Sequence, residues 1–348
     1  MAPAAFGKDA YREGARLCFL CLMWYFSSLG QNVINKHLFK EFPYPTTVSM
    51  THMLAVAILL EPILRLWNVP ALEIIDRRQF YVLVLPLAFG KFFSSVSAEF
   101  SILKVSVSFA HTVKATMPIF TVVLSRIVLG EKQTRKIYLS LFPIILGVMI
   151  ATLTELSFDT FGLMAALAST ITFALQNVYS KKALADLKIH HLRLLLMLGQ
   201  LGSLMLLPIW VFLDFRRIIV DRKMLQTVSW PYTLTLLSSS GFLNFSQNIF
   251  AFSVLNLVTP LSYSIANASK RIFVVLISLV MLRNPVTPLN VIGMMTALLG
   301  VTCYNLAKYE HNKVSKKDLL PMVASDLVDG QIMSEHEKMN GHAKAYDV

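Results

Sequence analysis

Charged residues are scarce in this chain: they make up 15% of its 348 residues, where a soluble domain carries roughly 25%. With 55% hydrophobic residues and a mean hydropathy of +0.59, that scarcity excludes an ordinary soluble domain and leaves an integral membrane protein, with the lipid bilayer as its solvent. Cysteine is scarce too. Cys18, Cys21 and Cys303 all fall inside apolar runs, and no Cys or His pair completes a ligand set for the C-x-x-C at 18–21, so neither a disulfide framework nor a metal site is expected. There is no glycine-rich phosphate loop and no H-E-x-x-H, and inward-looking carboxylates are too few for acid–base work. An enzyme, an ATP-driven pump and any bound cofactor are therefore not expected. The first fourteen residues contain Asp9 and Glu13 and no apolar core, and read as neither a cleaved signal peptide nor a transit peptide. The net charge of +12 does not point to nucleic acid, because the basic residues cluster between apolar runs instead of lining one polar face.

What the chain has in abundance is span-length apolar sequence. About 20 mostly apolar residues cross a bilayer. Ten runs meet that length, at 15–36, 45–66, 80–103, 106–129, 137–154, 160–180, 193–213, 232–255, 259–282 and 287–308. The fold class expected is all-α: a polytopic membrane protein of ten transmembrane helices. Breakers such as "FPYP" at 42–45 and "NP" at 284–285 separate the runs, and the polar remainder, 309–348, reads as a disordered tail. Lys8 and Arg12, Arg77 and Arg78, Lys132, Arg135 and Lys136, Lys181, Lys182 and Lys188, and Lys313, Lys316 and Lys317 fall on one side of an even-span chain. The positive-inside rule makes that side cytosolic and puts both termini there, against the opposing vote of Arg216, Arg217, Arg222 and Lys223.

An offset of 153 residues aligns "IFTVVLSRIVLGEKQT" at 119–134 with "IFVVLISLVMLRNPVT" at 272–287, through Ile119/Ile272, Phe120/Phe273, Val122/Val275, Ser125/Ser278, Leu129/Leu282 and Thr134/Thr287. The match resumes at "LGV", 146–148 against 299–301. A repeat of five spans, an odd number, inserts its two copies from opposite faces, as in many secondary transporters. The organisation expected is a cytosolic segment 1–14, a first five-helix half 15–154, an inverted second half 155–308, and the cytosolic tail 309–348.

Three cations stand inside the runs: Lys114 in "SFAHTVKATMP", and Lys270 with Arg271 in "NASKRIFVVLISLVML". Each costs about 2.5–3.5 kcal/mol at mid-span unless satisfied. Of the two acids in the spans, Glu61 has Arg65 four residues on, and Glu99 has Lys91 eight residues back on a similar face, so each has a local partner. Glu99 with Lys91 is thus a coupling or structural pair. Two readings of the leftover cations stand. Either they cross-pair with Glu99, or they receive an anion that comes and goes, for which an Arg fork and a Lys point charge suit phosphate. Asn244 and Gln247 share a helix face in the eighth run and, with Tyr263, are placed to line the same cavity. Gln176, Asn177, Tyr179 and Asn248 are further polar residues within runs. The "NFS" at 244–246 and "NAS" at 267–269 lie inside runs and are not read as glycosylation sites.

At this point the chain resembles the triose-phosphate and nucleotide-sugar translocators of the drug/metabolite transporter superfamily. "NKHLFKEFPYP" (35–45), "VSVSFAHTVKATMPIF" (105–120) and "VTPLSYSIANASKRIFVV" (258–275) look like that family's first-, fourth- and ninth-span motifs, and the resemblance covers 15–308. Within the family the chain is most similar to the E1 branch of solute carrier family 35. The resemblance implies a phosphate clamp of Lys114, Lys270 and Arg271, and brings Lys36 and His111, which stand in the same motifs, into the substrate-binding set. It also implies strict antiport of a small anionic phosphorylated metabolite, a nucleotide sugar or sugar phosphate, against phosphate or a nucleoside monophosphate. A Golgi or endoplasmic-reticulum membrane is the implied address. Where plastid members use a tyrosine in span eight this chain has Gln247, and where they use a histidine and a threonine in span three it has Ser95 and Ala98. The reader of the ligand's other end is thus replaced. Two rivals remain open here: a proton-coupled carrier using Glu99 or Glu61, and a non-transporting scaffold whose cations are tied to Glu99. Nothing in the sequence selects for or against a homodimer.

Overall fold

The computed structural model describes residues 4–70, 75–128, 133–221, 226, 228–258, 260–282 and 286–311, with the side chains of 4–11, 260–265 and a few other helical positions excepted. The tail beyond His311, Arg222, Lys223 and Lys132 lie outside the described residues, and residues 309–311, read from sequence as the start of a disordered tail, are helical. Among the described residues the chain is helical throughout, with no strand. Among the described residues seven helices are long and apolar enough to cross a membrane: α1 (Ala4–Glu41, of which Arg12–Glu41 qualifies), α2 (Pro45–Leu66), α3 (Arg77–Lys104), α4 (Val107–Ile127), α5 (Arg135–Leu153), α7 (His191–Val220) and α10 (Pro288–His311). Helices also stand at the other three runs: α6 (Thr160–Leu187), α8 (Trp230–Leu257) and α9 (Pro260–Leu282). Helices α1, α6 and α7 outrun the apolar stretches read from sequence, and Arg216 and Arg217 lie in the last turns of α7, not in a loop.

The helix ends follow from local chemistry. Pro45 opens α2, where its missing N–H costs nothing. Ser106 caps α4 by accepting from the Phe109 N–H at 3.2 Å, and Asp159 caps α6 by accepting from Gly162 at 2.7 Å. Helix α6 stops at Lys188, which adopts a left-handed φ of 51°.

The surface is inverted relative to a soluble protein. Ile127 (74% exposed), Leu153 (83%) and Val280 (75%) face outward, while Asn35, His52, Glu99 and Ser240 are buried. Apolar side chains toward lipid and polar ones toward the bundle interior is the arrangement a bilayer selects. Cys18 and Cys303 are exposed free thiols on these outer faces. The ion pair read between Glu61 and Arg65 is present at 3.0 Å, joined by Arg193 at 3.5 Å.

Packing places α1 along α8 and α3 along α6, with α2 against α7 and α4 against α9. Helices α5 and α10 cross through glycine: a methyl on Gly147 would fall 2.6 Å from the Gly293 carbonyl oxygen, and one on Gly300 would fall 2.7 Å from the Ile144 nitrogen. Small residues at such crossings let backbones touch where lipid supplies no hydrophobic drive.

Candidate functional site

Helix α4 is broken at the residue of interest. Residues Lys114–Thr116 form a 3₁₀ turn, because Pro118 has no N–H to donate to the Lys114 carbonyl four residues back. That carbonyl is satisfied in two other ways. The Met117 N–H reaches it within the 3₁₀ turn, and the Arg271 guanidinium of α9 donates to it. A second guanidinium nitrogen of Arg271 lies 3.0 Å from the Met117 sulfur. Arg271 thus fastens α9 to the break in α4, and it is 9% exposed.

Its neighbours complete a cationic cluster. The Lys270 ammonium sits 4.7 Å from the centre of the buried Trp24 ring on α1, a cation–π contact that moderates its charge without neutralising it. Tyr25, next in sequence to Trp24, donates its hydroxyl proton to the Ala266 carbonyl at 2.8 Å, pinning α1 to α9. Lys114, Lys270 and Arg271 all act electrostatically on His111, which contacts Asn32 of α1 at 3.3 Å. Beside them the Gln247 amide donates to Gln31, across the α1–α8 seam. The structure therefore brings Lys114, Lys270, Arg271 and His111 together between α1, α4 and α9, with Gln247 at the α1–α8 margin. Among the described residues no carboxylate lies within 4.0 Å of the three cations.

Glu99 acts electrostatically on Lys114 but makes its close contacts elsewhere. One of its oxygens accepts from the Asn35 amide at 2.8 Å and the other lies 3.5 Å from His52 Nδ1. Asn35 accepts in turn from the Ser240 hydroxyl, whose oxygen is 2.8 Å from His52 Nε2. The result is a closed polar ring with one member from each of α1, α2, α3 and α8. Lys91 is not Glu99's partner, contrary to the expectation from sequence: eight residues separate them, about 12 Å of rise and some 80° of rotation. Since every member of the ring depends on its neighbours, Asn35→Ala should strand two buried polar groups. We expect a fall in melting temperature corresponding to roughly 1–3 kcal/mol, read by thermal unfolding of the purified protein. An unchanged melting temperature would mean that water replaces the amide.

The remaining expected site residues are dispersed. The Lys36 ammonium donates to the carbonyls of Ile102 and Val105, both at 2.8 Å, and so closes the C-terminal end of α3. Asn244 accepts from the Asn248 amide at 3.2 Å and lines a small cavity with Lys91 and Ser95, apart from the cation cluster. The Tyr263 side chain lies outside the described residues. Sequence reasoning missed Trp24, Asn32, Asn35, His52 and Ser240. The signal for Asn35 was the "NK" opening its motif; for the others it was only the presence of a polar or amphipathic residue within an apolar run.

A multi-pass membrane protein with a buried cationic cluster between helices is the class that fold and site define. The sequence profile of the Triose-phosphate Transporter family matches residues 15–305, and the chain belongs to that family. It is 34% identical over 305 residues to a chloroplastic triose phosphate/phosphate translocator of Solanum tuberosum, covering 86% of this chain and 72% of that one. It is 32% identical over 315 residues to a chloroplastic xylulose 5-phosphate/phosphate translocator of Arabidopsis thaliana (88% and 74%). It is also 30% identical over 310 residues to a chloroplastic glucose-6-phosphate/phosphate translocator of the same plant (88% and 79%).

Proposed function

We propose that this chain is a secondary antiporter that exchanges a phosphorylated metabolite, a sugar phosphate or nucleotide sugar, for phosphate or a nucleoside monophosphate. The observation that carries this reading is the cluster itself. Lys114, Lys270 and Arg271 meet between α1, α4 and α9, where Arg271 has a carbonyl and a sulfur atom and Lys270 a ring as described partners, with no acid within 4.0 Å and Glu99 acting on Lys114 from farther off. An arrangement costing several kcal/mol in a bilayer is reasonable when a polyanion is the intended counter-charge. The reading in which Glu99 neutralises all three cations loses support, since Glu99 forms no ion pair with any of them and its single charge, which acts on Lys114, leaves Lys270 and Arg271 without an acid. The relatives' names, all phosphate translocators, point the same way. With the site empty, several cations face one another unpaired, which disfavours the occluded state. Return therefore requires a second anion, and obligate exchange follows.

Ten spans in two inverted five-helix halves, 15–154 and 155–308, are the frame we infer for alternating access. Support comes from reciprocal packing: a pairing of α1 with α8 maps, on exchanging the halves, to α6 with α3, which is also present. The same exchange takes the contact of Gly147 with Ala297 to that of Gly300 with Ile144, under the 153-residue offset found in the sequence. We place the protein in a Golgi or endoplasmic-reticulum membrane with both termini cytosolic, on the family branch it resembles and on its basic loops.

In proteoliposomes loaded with phosphate, external labelled phosphate should enter, and should fail to enter vesicles loaded with chloride alone. Phosphate should also raise the melting temperature of the purified protein, an effect lost in Lys270→Ala/Arg271→Ala. Robust entry into chloride-loaded vesicles would sink obligate exchange, and stabilisation persisting in the double variant would move the site.

A further inference from the structure

All four members of the ring of Asn35, His52, Glu99 and Ser240 are buried, and the geometry fixes the direction of each hydrogen bond in it. The Asn35 amide nitrogen donates to one Glu99 oxygen at 2.8 Å, so the Asn35 oxygen is the atom that faces Ser240. An amide oxygen has no proton to give, and the Ser240 hydroxyl proton therefore lies on that contact. The Ser240 oxygen is left only to accept, so His52 Nε2, 2.8 Å away, carries the hydrogen that it receives. A neutral imidazole has a single N–H, and this one is spent on Ser240. His52 Nδ1 would then meet the other Glu99 oxygen, at 3.5 Å, lone pair against lone pair in a buried site. One further proton between these two atoms removes the conflict, whether it rides on the carboxyl as O–H or on the imidazole as N–H. In either place it leaves the pair with no net charge.

We propose that Glu99 and His52 bind one exchangeable proton between them, and that this proton is a second ligand of the carrier, bound and released together with the anion. The coupling to the anion rests on the exchange reading above; the proton itself does not. It comes from water on the face where the anion enters and returns to water where the anion leaves. Burial favours the neutral pair that holds it. Two cations oppose it: Lys114 of α4 acts on Glu99, and Lys91 of α3 acts on His52. Helices α1 and α8 bring only the neutral Asn35 and Ser240 to the ring, and α7 brings Gly199 to the cavity beside His52. That cavity, about 30 Å³, has room for a water or two, which gives the proton a carrier next to the ring. Lys114 belongs also to the anion cluster, and so it links the two sites. A phosphate bound there offsets the lysine charge that repels the proton, and anion and proton therefore bind cooperatively. Loss of the proton leaves a net negative charge on the pair, which competes with the anion for Lys114.

Glu99→Gln is the variant that tests this. A glutamine can accept from Asn35 through its oxygen and donate to His52 Nδ1 through its nitrogen, which reproduces the protonated ring and makes it permanent. Melting of the ligand-free full chain is followed from about pH 6 to about pH 8.5, a range that begins near the ordinary histidine pKa of about 6.5. Above that value the unfolded chain has released the proton from both side chains while the folded pair still holds one, so stability falls as pH rises. Wild type should lose stability relative to Glu99→Gln across this range, by up to about tenfold in the folding equilibrium per pH unit. Phosphate binding is then measured by calorimetry in buffers of different ionisation heat, which also counts the protons taken up. The titration of phosphate itself is common to both proteins and cancels in the comparison. At the alkaline end wild type should bind phosphate roughly fivefold more weakly than Glu99→Gln, the low end of ordinary coupling, and take up more protons in doing so. Parallel pH profiles of melting overturn the proton. So does a Glu99→Gln protein that melts well below wild type at every pH, because an amide reproduces the neutral ring and not a charged one. Equal phosphate affinities at every pH overturn the coupling. Diverging melting profiles with no phosphate binding by either protein would keep the proton and discard the antiporter.

Discussion

Arg271→Lys should reduce phosphate exchange by roughly 30- to 160-fold while the protein remains folded. The substitution keeps the positive charge and removes the fork. In the structure one guanidinium nitrogen is held by the Lys114 carbonyl and another lies against the Met117 sulfur, which fixes the plane of the group and leaves its remaining N–H donors without a described acceptor, available to the proposed anion. A lysine ammonium that satisfied the same carbonyl would have no rigid second edge to present. Losing one charge-assisted hydrogen bond to an anion is worth about 2–3 kcal/mol, and at 1.36 kcal/mol per tenfold that gives the stated range. The check is the KM and maximal rate of phosphate exchange in proteoliposomes, beside thermal unfolding of both proteins. Exchange at the wild-type rate would show that charge alone suffices and that the bidentate role is wrong.

The same geometry explains why part of this site could be read from the sequence and part could not. That Lys270 and Arg271 lie within a spanning run, with apolar residues on both sides, is a one-dimensional fact, and so is the unmet cost of their burial. The break in α4 is also local in origin, since Pro118 removes the fourth-residue donor for Lys114 wherever this stretch is helical. Glu99 is the opposite case. Its partners come from positions 64 and 47 residues earlier in the chain, and the ring closes through Ser240, far downstream. No periodicity within α3 encodes those neighbours; they exist because α1 and α2 pack on α3 and α8 packs on both of them. The nearest cation on a similar face, Lys91, looked like the partner only because helical spacing was the one geometry the sequence offered. Lys36 failed to be legible for a related reason. Its motif marks it as special, but a lysine that closes a helix end and a lysine that binds a ligand have the same sequence signature. Helix existence at each apolar run was legible. Helix length was not, because polar turns beyond the hydrocarbon layer continue α1 to Glu41 and α6 to Leu187 with no apolar signal.

The internal repeat makes the second strong prediction. Of the residues aligned by the 153-residue offset of the repeat proposed above, Gly147 and Gly300 both stand at the α5–α10 crossing. There Gly147 meets Ala297 and Gly293, while Gly300 meets Ile144, so each helix contributes a glycine to the close approach of the other's backbone. A methyl on Gly147 would lie 2.6 Å from the Gly293 oxygen and 2.8 Å from the Ala297 Cα, and these are backbone atoms with no rotamer to change. The helices must separate, and the partners they lose include the 2.8 Å bond from the Asn290 amide to the Ala151 carbonyl. Gly147→Ala should therefore destabilise the protein by about 1–3 kcal/mol or more, the range for overpacking a filled contact. Gly300→Ala, whose methyl would sit 2.7 Å from the Ile144 nitrogen, should cost a similar amount. By contrast Gly90→Ala, whose methyl would meet only the Thr172 methyl at 3.7 Å, should be nearly neutral. Thermal unfolding of the three variants in detergent and in nanodiscs compares them directly. If the two crossing variants were as stable as Gly90→Ala, the contact between α5 and α10 would be looser than drawn here. If only one of the pair were destabilised, the two halves would not share the reciprocal contact on which the repeat relies.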